Sequence, residues 1–187
     1  QLLECTHGAQ YYATLDAMKG FNLLATTRSD IFTLVTPFGC YEMNVAPQGF
    51  INSPVVFQDR IANQVLKDLH MKTCVNWIDD CLVYGSSESV FLDRLDEVLD
   101  RFQQYNVKLS ASKCKLFSKK VVWCGRELCN GTASLDPKYY AKVDQIPEPV
   151  MATELAEFIY AVQWLSSTLK DIMAPMDTLR SLLNKCY

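Results

Sequence analysis

A strand-forming run interrupted by two adjacent aspartates, VNWIDDCLVYGSS at 75–87, constrains the fold of this chain more than any other segment. The flanking residues are β-branched, aromatic and aliphatic types that favour a strand. A carboxylate inside such a run is costly unless it is paired or holds a metal. Because Asp79 and Asp80 also repel each other, the sequence predicts a strand over 73–84 whose acids meet a cation. The alternative is an exposed strand end, or a turn that contains one of the two acids.

The composition is typical of a globular domain. The chain has 187 residues, of which 49% are hydrophobic and 21% charged, enough for one large domain or one with a small appendage. The longest apolar runs are well short of the roughly 20 residues that a membrane span needs. The first residues, QLLECTHGAQ, do not resemble a signal peptide. We therefore expect no membrane partner, and the missing initiator Met indicates a fragment or a processed product.

Cysteine usage indicates a reducing environment. The chain contains eight cysteines and two histidines, and no C-x-x-C pair occurs, so we expect no structural zinc site. Several of the cysteines lie in apolar, strand-like runs, where a free thiol acts as a small core residue. The sequence therefore favours an intracellular protein over a disulfide-bonded secreted domain.

Basic residues are concentrated in one segment although the net charge is −3. Between Lys108 and Arg126 there are six Lys or Arg residues and no acid. Such a segment is either a solvated surface or a patch that binds phosphates despite the acidity of the whole chain.

The predicted elements follow the order of a ferredoxin-like split unit. They are a strand at 11–16, a hairpin at 31–45, a helix at 53–69 with Ser53 as N-cap and Pro54 as its first residue, the strand at 73–84, a helix at 89–105, two short strands within 107–117, a hairpin at 119–129, a short helix within 130–149 and a helical end at 153–185 with Thr153 as N-cap. In that unit the first and third core strands are neighbours. We therefore expect Asp16, at the end of the first strand, to converge with Asp79 and Asp80 on one sheet edge.

Five motifs, in this order, carry a specific resemblance. They are YYATLDAMKGF for the first aspartate, TPFGCYEMNVAPQGFINSPVVFQ for a P-F-G, P-x-G, P-x-x-F-Q block, WIDDCLVYGSS for a Y-x-D-D hairpin, VKLSASKCKLF for a K-L-x-x-x-K-C-x-F segment and VVWCGRELC for a primer-grip hairpin. Together they resemble the reverse transcriptase (RNA-directed DNA polymerase) domain of gypsy-type LTR retrotransposons and retroviral-like Pol polyproteins. A lone D-D pair is weak evidence, whereas five ordered motifs are strong.

The resemblance implies an α+β fold, a polymerase palm whose antiparallel sheet has a ferredoxin-like (split βαβ) core packed on helices. Residues 1–130 would form the palm, without the N-terminal part of the fingers. Residues 131–187 would form the linker after the primer grip and the start of a helical thumb or connection. The compartment implied is the cytoplasm, a virus-like particle or the nucleus.

The resemblance also assigns roles to individual residues. Asp16, Asp79 and Asp80 would bind two Mg²⁺ or Mn²⁺ ions and catalyse transfer of a nucleotide from a dNTP to a primer 3′ hydroxyl. The remaining assignments are Phe21 as the steric gate against a ribose 2′ hydroxyl, Gln48, Gly49 and Lys113 for the incoming nucleotide, and Trp123, Cys124 and Gly125 for the primer grip. The plainer alternatives are core packing for Phe21, turns for the glycine motifs and a solvated surface for Lys113.

Departures from the family pattern leave a rival hypothesis open. Trp77 takes the usual Tyr position of Y-x-D-D, and Ile31 stands where a basic residue is common. The fingers strands before the first aspartate are not in this sequence, so we expect weak or no activity from the chain alone. Expected partners are an RNA or DNA template with a DNA primer, dNTP, and the rest of a Pol polyprotein or another protein. The alternative is a degenerate or co-opted domain that binds protein or nucleic acid.

Overall fold

The computed structural model describes residues 4–18, 24–26, 29–47, 49–143, 145–166 and 171–186. The chain divides into two compact units, the first made of Gln1–Cys124 with Leu128–Thr132 and the second of Gly125–Glu127 with Ala133–Tyr187. None of the helices in these ranges has the length and apolar character needed to cross a membrane.

The strands form three sheets. Their bounds are β1 Tyr11–Asp16, β2 Thr33–Thr36, β3 Gly39–Glu42, β4 Cys74–Trp77, β5 Asp80–Gly85, β6 Lys115–Ser118, β7 Lys120–Trp123, β8 Arg126–Cys129 and β9 Thr132–Leu135. The largest sheet has the order β4–β5–β1–β6, and the others are β2–β3 and β7–β8–β9. β1 pairs antiparallel with β5, so the first and third core strands are neighbours as predicted. The α+β fold class is confirmed.

The predicted single strand over 73–84 is wrong, because this segment is a hairpin. β4 ends at Trp77, Ile78 and Asp79 form the turn, and Asp80 begins β5. Ile78 has a φ of +51°, which is unusual for a β-branched residue. Strand propensity is nearly uniform along the run, and neither turn position, Ile78 or Asp79, is Gly or Asn, so residue preferences did not reveal the reversal, whereas the resemblance to a Y-x-D-D hairpin did.

Five α-helices lie among the described residues. Their bounds are α1 Ser53–Asp59, α2 Glu88–Gln104, α3 Pro137–Val143, α4 Ala152–Leu165 and α5 Met173–Cys186. The predicted helix at 53–69 changes after α1 to a π-helical segment, Arg60–Leu66. The predicted helical end at 153–185 is two helices, α4 and α5.

Both predicted N-caps are displaced. Asn52 occupies the N-cap position of α1 without a side-chain cap hydrogen bond, and Ser53 lies inside the helix with its hydroxyl donating to the Pro47 carbonyl at 3.3 Å. Met151 caps α4 in place of Thr153, because its backbone is extended there. The Glu154 carboxylate accepts from the Met151 backbone N–H at 3.0 Å and so stabilises the first turn from the other direction.

The four-stranded sheet packs on both faces within the first unit. Ala13 and Leu15 of β1 belong to the core cluster that includes residues of α1 and α2. Tyr12 of β1 and Leu82 and Tyr84 of β5 belong to a second cluster on the opposite face. Because side chains alternate along a strand, the even-numbered residues of β1 and β5 share this second face. Asp16 and Asp80 therefore project from the face opposite to α1 and α2.

The second unit has a core of its own between α4 and α5. Leu155, Ile159, Val162 and Met176 are buried together there.

Candidate active site

Asp16 and Asp80 lie directly opposite each other. They form the last residue pair of the β1–β5 ladder, so their Cβ atoms are about 4.5–5.5 Å apart on one face of the sheet. Trp77 pairs with Asp80 from the other side and is 53% exposed. One row across three strands thus presents an aromatic ring followed by two carboxylates.

Asp79 is held next to this row by the hairpin turn. Its carbonyl accepts a hydrogen bond from the Ala17 backbone N–H at 2.8 Å, which ties the turn to the residue after Asp16. One of its carboxylate oxygens, Oδ1, is buried without a hydrogen-bond partner among the described residues. An unpaired buried carboxylate oxygen is costly, and a cation would satisfy it.

Asp16, Asp79 and Asp80 are together called the acid row here. Lys113 supplies a positive charge next to them. Its Nζ lies 3.3 Å from Asp16 Oδ2. The lysine follows a tight turn in which the Ser110 carbonyl accepts from the Lys113 N–H at 3.0 Å, while the Ser110 N–H donates to the Asp16 carbonyl at 2.9 Å. The Lys113 side chain is 68% exposed, so the ion pair contributes little to stability and can exchange for another partner.

The local electrostatics disfavour charge on two of the three acids. Burial first, and then the charges of Asp16 and Asp80, raise the pKa of Asp79, with Lys113 opposing the shift. Burial and the Asp16 charge also raise the pKa of Asp80. These shifts are the expected result of placing three carboxylates together with one exposed cation.

The acid row matches Mg²⁺ or Mn²⁺ in donor chemistry and in charge. Mg²⁺ prefers carboxylate oxygens, and the unpaired Asp79 Oδ1 is such a donor. Among the described residues, no three His, Cys, Asp or Glu side chains are already arranged around one point that could hold an ion. Shared coordination therefore requires carboxylate rotamers other than the ones described.

Gln58, near the end of α1, holds the hairpin that carries Asp79. Its Oε1 accepts from the Ile78 backbone N–H at 2.6 Å and from the Asn76 side-chain amide at 3.2 Å. Its Nε2 donates to the Asn76 carbonyl at 3.2 Å. This glutamine is the last residue of the P-x-x-F-Q block, and the sequence predicted no role for it. Its place at the end of the P-x-x-F-Q block was the only available signal.

The predicted primer grip is a tight turn between β7 and β8. Cys124 and Gly125 both have positive φ, +46° and +72°, as a two-residue hairpin turn of type I′ requires. Burial, followed by the nearby Asp80 charge, raises the pKa of Cys124 to about 12, so the thiol is neutral and lies close to the acid row. Trp123 is buried in the core of the second sheet face, and its Nε1 has no partner among the described residues.

Some predicted site residues are not part of this cluster. Phe21 and Gln48 lie outside the described residues. Gly49 has a φ of +91° with open space around it, so its conformation, and not close packing, favours glycine. The structure brings together Asp16, Asp79, Asp80, Lys113 and Cys124.

Comparisons with known proteins point to one family. The family described as Reverse transcriptase (RNA-dependent DNA polymerase) matches residues 1–128. The Retrovirus-related Pol polyprotein from transposon opus of Drosophila melanogaster is 26% identical over 181 residues, which is 96% of this chain and 18% of that protein. The Enzymatic polyprotein of Cauliflower mosaic virus (strain D/H) is 29% identical over 150 residues, 79% of this chain and 22% of that protein.

A solved structure shares the fold. The foamy viral protease-reverse transcriptase dRH in complex with double-stranded DNA superposes with a TM-score of 0.81 at 20% identity, over 95% of this chain and 31% of that one. This chain therefore spans a minor part of the proteins it resembles. Since the family match covers more than half of its residues, the chain belongs to the reverse transcriptase (RNA-dependent DNA polymerase) family.

Proposed function

We propose that this chain is the palm of an RNA-directed DNA polymerase from a retrotransposon Pol polyprotein, and that within that longer protein it directs the transfer of nucleotides from dNTP to a primer 3′ hydroxyl, with weak or no activity as an isolated chain. The observation that carries the proposal is the pairing of Asp16 with Asp80 beside the turn that bears Asp79. Two bound Mg²⁺ or Mn²⁺ ions would activate the primer hydroxyl and neutralise the leaving pyrophosphate.

The protein's own residues position the reactants. Asp16, Asp79 and Asp80 hold negative charge at one edge of a rigid sheet, where little reorganisation is needed. The exposed Trp77 ring offers a surface for the terminal primer base, and Cys124 lies on the neighbouring hairpin turn. Lys113 can leave Asp16 for a triphosphate oxygen, because its ion pair is exposed.

The substrate class follows from charge and from the related structures. The solved relative described above is a complex with double-stranded DNA, and a second foamy viral structure is a complex with an RNA/DNA hybrid. The basic segment from Lys108 to Arg126 provides the cations that a primer–template backbone needs. None of the eight cysteines, all of which lie among the described residues, forms a disulfide, which fits the proposed intracellular location.

Metal linkage tests the proposed site in the isolated chain. Millimolar Mn²⁺ should raise the melting temperature, because an ion that binds only the folded state stabilises it by mass action. Asp79→Asn should remove this response, whereas Asp96→Asn, the same change on the exposed surface of α2, should keep it. A melting curve that Mn²⁺ leaves unchanged would contradict the proposed metal site.

One observation favours a protein-binding module as the second candidate. The β2–β3 hairpin and the start of α1 expose large apolar side chains, among them Phe38 at 90% and Ile51 at 85%. Apolar surface of this kind marks contact sites. Two results together would favour a protein-binding module. A variant lacking Asp79 and Asp80 would still pull down a stable protein partner, and Mn²⁺ would leave the melting temperature of the wild type unchanged.

A further inference from the structure

A polar cavity lies far from the acid row, at the other end of the palm sheet. It has a volume of about 240 Å³. The residues that line it are Cys5, His7, Gly8, Ala9, Met71, Lys72, Tyr84, Ser86 and Arg94. Tyr11 pairs with Gly85 at this end of the β1–β5 ladder, and Asp16 pairs with Asp80 at the other. Five residue steps along β1 separate the two pairs, a distance of about 17 Å.

The cavity is lined by basic side chains without an opposing acid. His7, Lys72 and Arg94 contribute to its wall, and no carboxylate is among the described residues that line it. Acids outside the lining include Glu4, which immediately precedes the lining residue Cys5, and Asp68. Asp68 is close enough to Lys72 for the lysine to lower its pKa, although hydrogen bonds to its own backbone and to Arg101 lower that pKa more. Glu88 lies in the first turn of α2. The cavity itself therefore favours an anion.

Arg94 is preorganised to bind that anion. One guanidinium nitrogen donates to the Tyr84 carbonyl at 2.9 Å, and the guanidinium carbon lies 5.6 Å above the centre of the Tyr84 ring. These two contacts fix the plane of the Arg94 guanidinium, so less conformational entropy is lost when its other N–H groups bind oxygen. A fixed guanidinium matches phosphate oxygens in a bidentate geometry.

Two further features of the wall suit a phosphate group. Ser86 offers a hydroxyl and comes just before Ser87, the N-cap of α2, a helix of 17 residues. The positive end of that helix dipole therefore lies beside the cavity. Lys72 is exposed and can reach an anion as a mobile point charge.

We propose that this cavity is a phosphate-binding site, formed by Arg94, Lys72, His7 and Ser86, which is separate from the polymerase centre. The proposal rests on the cavity and its charges and does not depend on the proposed catalytic function. The phosphate could belong to a free phosphate compound or to a nucleic-acid backbone, and the recognition chemistry is the same for both.

The test is a titration of the ¹⁵N-labelled chain in metal-free buffer containing EDTA, followed by amide chemical shifts. One arm uses pyrophosphate, and the other uses a short oligothymidine without a 5′ phosphate. We expect saturable shifts at residues 7–9, 71–72 and 86 in at least one arm, and that arm identifies the source of the phosphate. Metal-free conditions keep pyrophosphate away from Asp16, Asp79 and Asp80, so failure here is distinguishable from failure of the proposed catalytic site.

Variants give the test its specificity. Lys72→Gln with Arg94→Gln should weaken the binding at least tenfold. Arg180→Gln with Lys185→Gln removes the same charge from α5 and should leave the affinity unchanged. Arg94 also donates a hydrogen bond to the Tyr84 carbonyl, so changing it can disturb the fold as well as the binding. The single variant Lys72→Gln changes only an exposed side chain and should by itself weaken binding severalfold. Shifts that do not saturate, that are missing in both arms, or that survive in the Lys72 and Arg94 variant would overturn the proposal.

Discussion

Three carboxylates at one edge of the palm sheet place like charges together at a cost to the folded state. Asp79 and Asp80 both have a raised pKa, and burial is the largest cause for each. Lys113 offsets part of the repulsion, but its side chain is mostly exposed. We propose that a bound cation would restore this stability, because it would bind the folded state alone.

Replacing one acid should expose this cost directly. Asp79→Asn should raise the free energy of unfolding at pH 7 in metal-free buffer, since the amide removes a charge that the fold disfavours. The pKa of Asp79 is above its usual 3.8, so the destabilisation is present above the raised pKa and vanishes as the pH falls below 3.8. Melting temperatures from pH 3 to 7 would measure it, at about 2–4 °C per kcal/mol for a chain of this size.

The control for this comparison is Asp96→Asn on the surface of α2, which should leave the melting curve nearly unchanged across the same pH range. If the gain from Asp79→Asn were equal at pH 3 and pH 7, charge repulsion would not be its cause.

Gln58 is predicted to be a positioning residue for the Asp79 turn. Gln58→Leu removes three hydrogen bonds and leaves the Ile78 N–H and the Asn76 amide without partners. We expect a loss of about 1–3 kcal/mol of unfolding free energy and a weaker melting response to Mn²⁺. Gln104→Leu at the exposed end of α2 is the matched control. Equal stability in the two variants would refute the role of Gln58.

At the residue scale, the sequence predicted that Asp16, Asp79 and Asp80 converge, which the structure confirms, but it missed the residue that supports their turn. Asp16, Asp79, Asp80 and Lys113 were identified through the motifs that contain them. Gln58 was not, because a glutamine on a helix usually faces solvent, and only the folded hairpin shows what it binds.

At the scale of secondary structure, the hairpin turn within 75–87 gives its two adjacent acids different positions. Asp79 is a turn residue and Asp80 starts a strand, so the two neighbours have different surroundings. The sequence predicted strand along the whole segment because Trp, Ile, Cys, Leu and Val all favour it. The turn forms without Gly because Gln58 and the backbone of Ala17 bind it from outside the hairpin.

A close backbone crossing gives a prediction at this scale. Gly131 lies against Gly8, and a Cβ at Gly131 would fall on the Gly8 backbone nitrogen. Both glycines have a left-handed backbone, with φ of +71° and +79°, but a Cβ at Gly8 would meet open space. Gly8→Ala should therefore cost about 1–2 kcal/mol for its conformation alone. Gly131→Ala should cost a further ~1–3 kcal/mol for the clash, which denaturant unfolding would measure.

The two variants form a matched pair, since they share the same backbone penalty. Equal losses of unfolding free energy in the two variants would show that the Gly8 backbone moves at no cost to make room for a Cβ at Gly131, and would contradict the predicted clash.

At the scale of the whole chain, motif order predicted the family and the α+β palm fold, and both are confirmed. The exact helix starts and the type of helix could not be predicted from the sequence, for a physical reason. N-caps such as Met151, and the change from α1 to a π-helical segment, depend on tertiary contacts that residue preferences do not encode.

The charge distribution predicts how the chain should bind nucleic acid. Primer–template affinity should fall steeply with salt, because binding releases counterions from the phosphates. Lys115→Gln, within the basic segment, should lower the slope of log K against log salt by about 1. Lys185→Gln on α5 should not change it. Fluorescence anisotropy at 50–200 mM salt would measure both, and a slope near zero for the wild type would contradict duplex binding.

Primer extension tests the central claim most directly. The assay compares this chain with a polypeptide extended on its N-terminal side toward the length of its relatives, each with a primer–template, dNTP and Mg²⁺ or Mn²⁺. We expect little extension by the chain alone, robust extension by the longer polypeptide, and none by the longer polypeptide carrying Asp79→Asn. Extension that survives Asp79→Asn, or a longer polypeptide that binds duplex but never extends a primer, would contradict a polymerase centre at Asp16, Asp79 and Asp80.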